Sequence, residues 1–316
     1  MVLVFNGIVQ DEVPPDSRTL FHNHSFYRDA VTSLLSVPPK VIGPMGLLYV
    51  QQREMAVTVP HDKNVSILGT DDLTTCIALV LRHSVSGAVG LAHLDGAGTE
   101  EAVASILQRV QELGLGYQEG GRLELQLIGG VSDSHNYSEE LFYNILHAFH
   151  KQTVEVDLTV ACVCELNTIV RNGVRWPIIY GVGINIKSGE VFSATFPDKG
   201  PDIPLRFARQ LTGVQQVLDV YDCALGLLKI GPFNYDPLRG VDLWLEQPDE
   251  FILQHLSTTP DVEPPHFVMQ IRDAFKYIQE HPFPAVTVFR DNLLFEFTEG
   301  NHLCNPGSLR KETMIE

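Results

Sequence analysis

The stretch that decides the fold runs from residue 68 to residue 95 and reads LGTDDLTTCIALVLRHSVSGAVGLAHLD. Two short apolar runs within it, at 77–81 and 88–92, are rich in β-forming residues, and the Ser-Val-Ser-Gly segment at 84–87 has the composition of a tight turn. The pattern predicts two antiparallel strands joined as a hairpin. Such a hairpin brings the two ends of the stretch close together.

A cysteine and a histidine lie at these two ends. With a turn centred near residues 84 and 85, Cys76 and His93 are expected opposite one another, with Cβ atoms about 5 Å apart. A thiol beside an imidazole is the pairing that a cysteine nucleophile and its base require. Thr70 lies six residues before Cys76, from where its hydroxyl or carbonyl would accept the second imidazole proton and fix the tautomer.

Two alternatives compete with this interpretation. His83 is another candidate base, but within one strand it lies seven residues from Cys76, roughly 23 Å away at about 3.3 Å per residue. It also points to the opposite face, because seven is an odd number of residues. A lone cysteine in an apolar strand is commonly a small buried hydrophobe, and from the residues alone that second alternative stays open.

The chain resembles the protein N-terminal asparagine amidohydrolases, which are eukaryotic enzymes that deamidate an N-terminal asparagine. The similarity extends from about residue 42 to about residue 285, and we expect the family core over about residues 40–298. The tails at 1–40 and 299–316 show little of it. The blocks that carry the resemblance include GLLYVQQRE (46–54), LGTDDLTTC (68–76), VLRH (80–83), HLDG (93–96), GRLE (121–124), GGVSD (129–133), ELN (165–167), HLSTTP (255–260) and EPPHFV (263–268).

This resemblance, with a more distant one to bacterial glutamine deamidases and toxin deamidases that use a Cys-His pair, implies roles for three residues. Cys76 is the expected nucleophile, His93 the base and acid, and Thr70 the orienting group. A thiolate favoured by an adjacent imidazolium would attack the asparagine amide carbon, release ammonia and leave a thioester for water to hydrolyse. No metal or organic cofactor is expected. Alternatives are a glutamine deamidase, a thiol protease, or an inactive module that binds amino termini.

Selectivity for an N-terminal residue requires a group that receives an α-ammonium, and a carboxylate is the obvious physical choice. Asp72 and Asp95 flank the two catalytic positions and are the candidates. The alternative is that Asp72 caps a turn and Asp95 closes the hairpin. Tyr49 and Glu165 are further substrate-binding candidates, drawn only from their places in matching blocks.

Composition limits the partners and the compartment. The 316-residue chain has a formal net charge of −17, which argues against binding a phosphate backbone. We find no apolar run of the ~18 residues that a membrane span needs, and no secretory signal. An odd number of cysteines without disulfide spacing indicates a reducing compartment, so we expect a location in the cytoplasm and also in the nucleus. We also expect a monomer. The five are Cys76, Cys162, Cys164, Cys223 and Cys304.

The remaining periodicity predicts helices at 99–114, 138–151 and 267–280, each with one apolar face. Strands are predicted at 123–128, 154–164, 178–186, 190–196, 217–221, 227–230 and 293–297. Because helices fall among hairpins rather than in regular alternation with strands, we expect an α+β fold. Its form would be β-sandwich-like, with mostly antiparallel sheets flanked by helices, of the Cys-His deamidase type. We find no linker, so residues 1–316 are expected to form one amidohydrolase unit.

Overall fold

A computed structural model describes residues 2–115, 120–235, 238–289 and 295–296. Its strands are β1 (Val2–Phe5), β2 (Ile8–Gln10), β3 (Lys40–Val41), β4 (Leu47–Tyr49), β5 (Glu54–Thr58), β6 (Ile67–Thr70), β7 (Ile77–His83), β8 (Val89–Leu94), β9 (Leu123–Gly129), β10 (Glu155–Val163), β11 (Thr168–Arg171), β12 (Val174–Pro177), β13 (Val182–Asn185), β14 (Val191–Thr195), β15 (Leu218–Asp219), β16 (Tyr221–Asp222), β17 (Leu227–Leu228) and β18 (Phe295–Glu296). Its α-helices are α1 (Ser17–Asn23), α2 (Phe26–Leu35), α3 (Thr99–Gly114), α4 (Tyr137–His150), α5 (Ile203–Leu211), α6 (Val241–Leu245), α7 (Asp249–Leu256), α8 (Phe267–Glu280) and α9 (Pro284–Thr287).

The predicted hairpin lies in the middle of the largest sheet. Strands β7 and β8 pair antiparallel, and the sheet has the order β15-β5-β8-β7-β9-β10-β1-β2. Its antiparallel pairs surround the hairpin, whereas β9, β10 and β1 run parallel to one another. A second sheet has the order β3-β14-β13-β6-β4.

Strand β7 is covered on both faces, as its unbroken apolar run requires. Ile77, Leu79 and Leu81 pack into a core shared with helices α3 and α4. Ala78 and Val80 point the other way, into a core shared with buried residues of the second sheet. The hairpin therefore occupies the middle layer, with helices on one side of it and the second sheet on the other.

The α+β prediction is confirmed, with several mostly antiparallel sheets flanked by helices. Helices α3 and α8 have the predicted bounds, and α4 begins and ends one residue early. The strand predicted at 178–186 is shorter, at Val182–Asn185. Of the segment predicted at 293–297, residues 295–296 form β18 and the rest lies outside the described residues, as do the tail from 299 and Cys304. Within the described part of the chain, no helix combines the length and apolar character of a membrane span.

Candidate active site

Cys76 and His93 line one pocket of about 340 Å³, although their register differs from the predicted one. His93 pairs with Ala78, and Cys76 immediately precedes strand β7. The expectation that Cys76 lies directly opposite His93 is therefore wrong by two positions. Because two positions are one full repeat of the pleat, Cys76 still lies on the same face of the strand as Ala78, and so on the face of His93.

Thr70 holds the buried imidazole from the second sheet. Its Oγ1 lies 2.7 Å from Nδ1 of His93, and both side chains are buried. Nε2 of His93 is buried and has no hydrogen-bond partner among the described residues. If the Thr70 hydroxyl accepts the Nδ1 proton, Nε2 keeps its lone pair and is available as a base. The pairing of β6 with β13 fixes Thr70 in this position.

The resting pair is electrically neutral. Burial lowers the pKa of His93 to about 4. Burial, followed by the negative charges of Asp95 and Glu263, raises the pKa of the Cys76 thiol well above its ordinary value. Burial therefore disfavours the expected thiolate and imidazolium in the free protein, because removal from water penalises both charged forms.

Two adjacent aspartates beside the pocket share one lysine. Lys199 Nζ lies 2.6 Å from Asp71 Oδ1 and 2.9 Å from Asp72 Oδ2, and His266 Nε2 lies 2.8 Å from Asp72 Oδ1. Although burial opposes it, the hydrogen bond with His266 and the charge of Lys199 lower the pKa of Asp72. Burial and the charge of Asp72 raise the pKa of Asp71 to about 6. Asp72 thus lies in the pocket but is already bound to Lys199 and His266.

Asp95 is also held by its neighbours. Its Oδ2 accepts hydrogen bonds from Arg53 Nε at 2.7 Å and from Gln52 Nε2 at 2.6 Å, and its Oδ1 accepts one from the backbone of Ala97. The backbone N–H of Arg53 in turn donates to the carbonyl of His93 at 3.0 Å. Asp95 therefore links the turn at 51–53 to the end of the hairpin. This role is close to the alternative expected from the sequence, that Asp95 closes the hairpin.

A buried cluster of ion pairs supports the turn at 51–53. Glu54 forms ion pairs with Arg206 and Arg209 of helix α5, and all three side chains are at most 7% exposed. Its Oε2 also accepts the backbone N–H of Gln51 at 2.9 Å. Glu54, at the centre of the cluster, thus holds the backbone where the turn at 51–53 begins.

The two weaker sequence candidates differ in outcome. Tyr49 lines the pocket, where its hydroxyl donates to Asp71 Oδ1 at 2.5 Å. Glu165 does not line it, so the structure gives no support to the substrate-binding role expected for Glu165. Its carboxylate instead forms ion pairs with Arg18 and Arg28 on another part of the surface, so its place in a matching block reflected a structural contact.

The polar residues of the pocket that sequence reasoning missed include Lys199, Glu263 and Gln51. Glu263 begins the block EPPHFV, which was already part of the family resemblance, so the criterion that selected Glu165 would equally have selected it. Gln51 is 8% exposed, and its Oε1 has no partner among the described residues. Lys199 has no local sequence signal, because only the fold brings it to the aspartates.

The other titratable candidates lie elsewhere. His83 is hydrogen-bonded to Ser86 in the turn of the hairpin, away from the pocket of Cys76, as strand geometry predicted. Cys162 and Cys164 are buried core residues, and burial raises the pKa of both thiols. Throughout the described ranges, no group of His, Cys, Asp and Glu side chains is arranged to hold a metal ion.

Fold and pocket together define an α+β protein with a buried cysteine and histidine at one end of the central hairpin, beside the second sheet. The family model of the protein N-terminal asparagine amidohydrolases matches residues 37–302. The chain belongs to this family. It is 40% identical over 301 residues to the human protein N-terminal asparagine amidohydrolase, covering 94% of this chain and 96% of the relative. Proteins of the same name from mouse and Arabidopsis thaliana are 45% and 27% identical, covering 79% and 81% of this chain and 80% of each relative.

Proposed function

We propose that this protein hydrolyses the side-chain amide of an N-terminal asparagine in proteins and peptides, producing aspartate and ammonia. The names of its relatives support the substrate and the reaction. The observation that carries the chemistry is Nε2 of His93, which has no hydrogen-bond partner in the described part of the chain. It shares a pocket with Cys76, and Thr70 is bound to the other ring nitrogen. Cys76 is the proposed nucleophile, His93 the base and acid, and Thr70 the orienting residue.

The neutral resting pair sets the order of the proposed steps. His93 Nε2 takes the thiol proton as Sγ of Cys76 attacks the asparagine amide carbon, and a tetrahedral oxyanion forms. The resulting imidazolium gives its proton to the amide nitrogen, the C–N bond breaks and ammonia leaves. Water, deprotonated by the same imidazole, then cleaves the thioester and restores the thiol. Backbone amides near Cys76 are the proposed oxyanion donors.

The wider setting follows from the product. A new N-terminal aspartate would be a substrate for arginyl transfer and then for ubiquitin-dependent degradation, so we place the reaction in an N-degron pathway of the cytoplasm and the nucleus. The described cysteines are free, which is compatible with a reducing compartment. We propose that residues 1–316 act as one monomeric unit without a cofactor.

Peptides that differ only at their first residue test the proposal. Asn, Gln, Asp and N-acetyl-Asn peptides are offered to the wild type and to Cys76→Ala, with ammonia release and product mass as readouts. We expect ammonia only from the free Asn peptide, a mass gain of about 1 Da, and no turnover by Cys76→Ala. Cys162→Ala is the matched control, because Cys162 is equally buried but lies outside the pocket. Preference for the Gln peptide, peptide-bond cleavage, or undiminished activity of Cys76→Ala would each contradict it.

A further inference from the structure

The pocket contains four carboxylates, and three of them form ion pairs with cations. Asp71 and Asp72 share Lys199, and Asp95 is paired with Arg53. Glu263 lines the same pocket and forms no ion pair with any described residue. It is therefore the pocket carboxylate without an ion-pair partner among the described residues.

Hydroxyl groups hold Glu263 in a defined orientation. Ser257 Oγ donates to its Oε1 at 2.5 Å, and Thr259 Oγ1 lies 3.4 Å from the same oxygen. The structure shows no hydrogen bond to Oε2 from a described residue. Burial raises the pKa of Glu263. One oxygen is thus fixed while the other remains available, in surroundings that penalise an unpaired negative charge.

Glu263 also lies close enough to the nucleophile to affect it. Its negative charge, together with that of Asp95, contributes to the raised pKa of the Cys76 thiol. The pocket lining carries four carboxylates against two permanent cations, Arg53 and Lys199. A positive group of the substrate placed beside Glu263 would relieve an existing imbalance.

We propose that Glu263 receives the α-ammonium group of the substrate's N-terminal residue. The inference rests on the proposed function and names the recognition group of that site. Asp72 and Asp95 are less suited, because an incoming ammonium would have to displace Lys199, His266 or Arg53 from them. Neutralisation of Glu263 removes one of the charges that keep Cys76 protonated, so a substrate with a free amine both binds and assists its own attack.

A pair of peptides that differ only in the amine tests this assignment. One begins with asparagine, and the other begins with the succinamoyl group, which is asparagine without its amine. Binding is measured by calorimetry to Cys76→Ala, which keeps the pocket but cannot react. We expect the amine to strengthen binding by about 10- to 100-fold, as a charge-assisted hydrogen bond would. In Cys76→Ala with Glu263→Gln, the two peptides should bind alike to within about threefold.

Asp261→Asn is the matched control, because it removes an exposed carboxylate two residues away and should preserve the preference for the amine. If Glu263→Gln retains that preference, or if both peptides lose affinity equally, the assignment is overturned. Should Glu263→Gln fail to fold, Glu263→Asp decides. Glu263→Asp keeps the charge but places it one methylene closer to the backbone. The preference for the peptide with the amine should therefore fall, and an unchanged preference would overturn the proposal. Turnover of the asparagine peptide by the wild type is measured separately. The binding comparison therefore tests only the role of Glu263, and absence of turnover would contradict only the proposed function.

Discussion

Replacing Thr70 with valine removes the hydroxyl that is hydrogen-bonded to Nδ1 of His93 and keeps the shape of the side chain. Thr70 is fully buried in strand β6, where valine is a favourable residue. The lost bond measures 2.7 Å in the structure. In the free protein it joins a neutral ring to a hydroxyl, whereas after proton transfer it stabilises an imidazolium.

The magnitude follows from that change of charge. A hydrogen bond to a charged group contributes about 1.5–3 kcal/mol, and each 1.36 kcal/mol is a factor of ten in rate. The neutral bond already present in the free protein contributes about 0.5–1.5 kcal/mol, so only the difference, about 1–1.5 kcal/mol, is lost in kcat. We therefore expect kcat of Thr70→Val to fall by about 5- to 13-fold, with KM nearly unchanged because Thr70 does not line the pocket. Steady-state ammonia release from an N-terminal asparagine peptide measures both constants.

Two control variants separate catalysis from folding. Thr70→Ser keeps the hydroxyl and should retain activity to within about threefold. Thr58→Val removes another fully buried threonine hydroxyl, which donates to Asp62 at 2.6 Å outside the pocket. It should lose a similar free energy of unfolding, about 1–3 kcal/mol, and keep its kcat. The reasoning is refuted if Thr70→Val keeps wild-type kcat, or if Thr70→Ser is as slow as Thr70→Val.

Three further predictions concern neighbouring groups. The His93 imidazole should titrate near pH 4 by NMR and remain neutral above that, because burial lowers its pKa to about 4, and a midpoint of 6 or more would contradict the neutral pair. His83→Ala should keep wild-type kcat/KM, and a large loss would restore His83 as a candidate base. Glu54→Gln leaves Arg209 buried without its anion and Arg206 paired only with Asp202, so denaturant unfolding should show a loss of about 3–5 kcal/mol. Because the fold lowers the pKa of Glu54, that difference should be present at neutral pH and vanish as pH falls through the folded value.

The hairpin and its catalytic face were predictable because they depend on local sequence. Apolar runs on both sides of a turn fix the strands, and the two-residue pleat fixes the face. The turn lies one residue later than predicted, with His83 N–H bonded to the Ala88 carbonyl. Moving a turn centre by one residue moves each partner by two, so His93 changed its partner to Ala78 without changing its face.

The partners of the carboxylates were not predictable in the same way. Asp72 has the chemistry of an ammonium receptor, and only its contacts with Lys199 and His266 show that it is already neutralised. These three residues are more than 60 positions apart from one another along the chain. No local periodicity encodes a contact of that kind, so single-sequence reasoning identifies candidate groups but not their state of charge.

The resting charge state links the catalytic residues to the substrate's amino terminus. A preformed thiolate and imidazolium would react with any accessible electrophile, whereas burial disfavours both charged forms and nearby carboxylates further disfavour the Cys76 thiolate. The substrate itself can supply the missing positive charge, since an α-ammonium carries it at neutral pH and an acetylated or internal residue does not. On this view the free amine does more than position the asparagine: its charge lowers the cost of forming the thiolate that attacks it. Selectivity for the first residue and activation of Cys76 would then have one electrostatic origin.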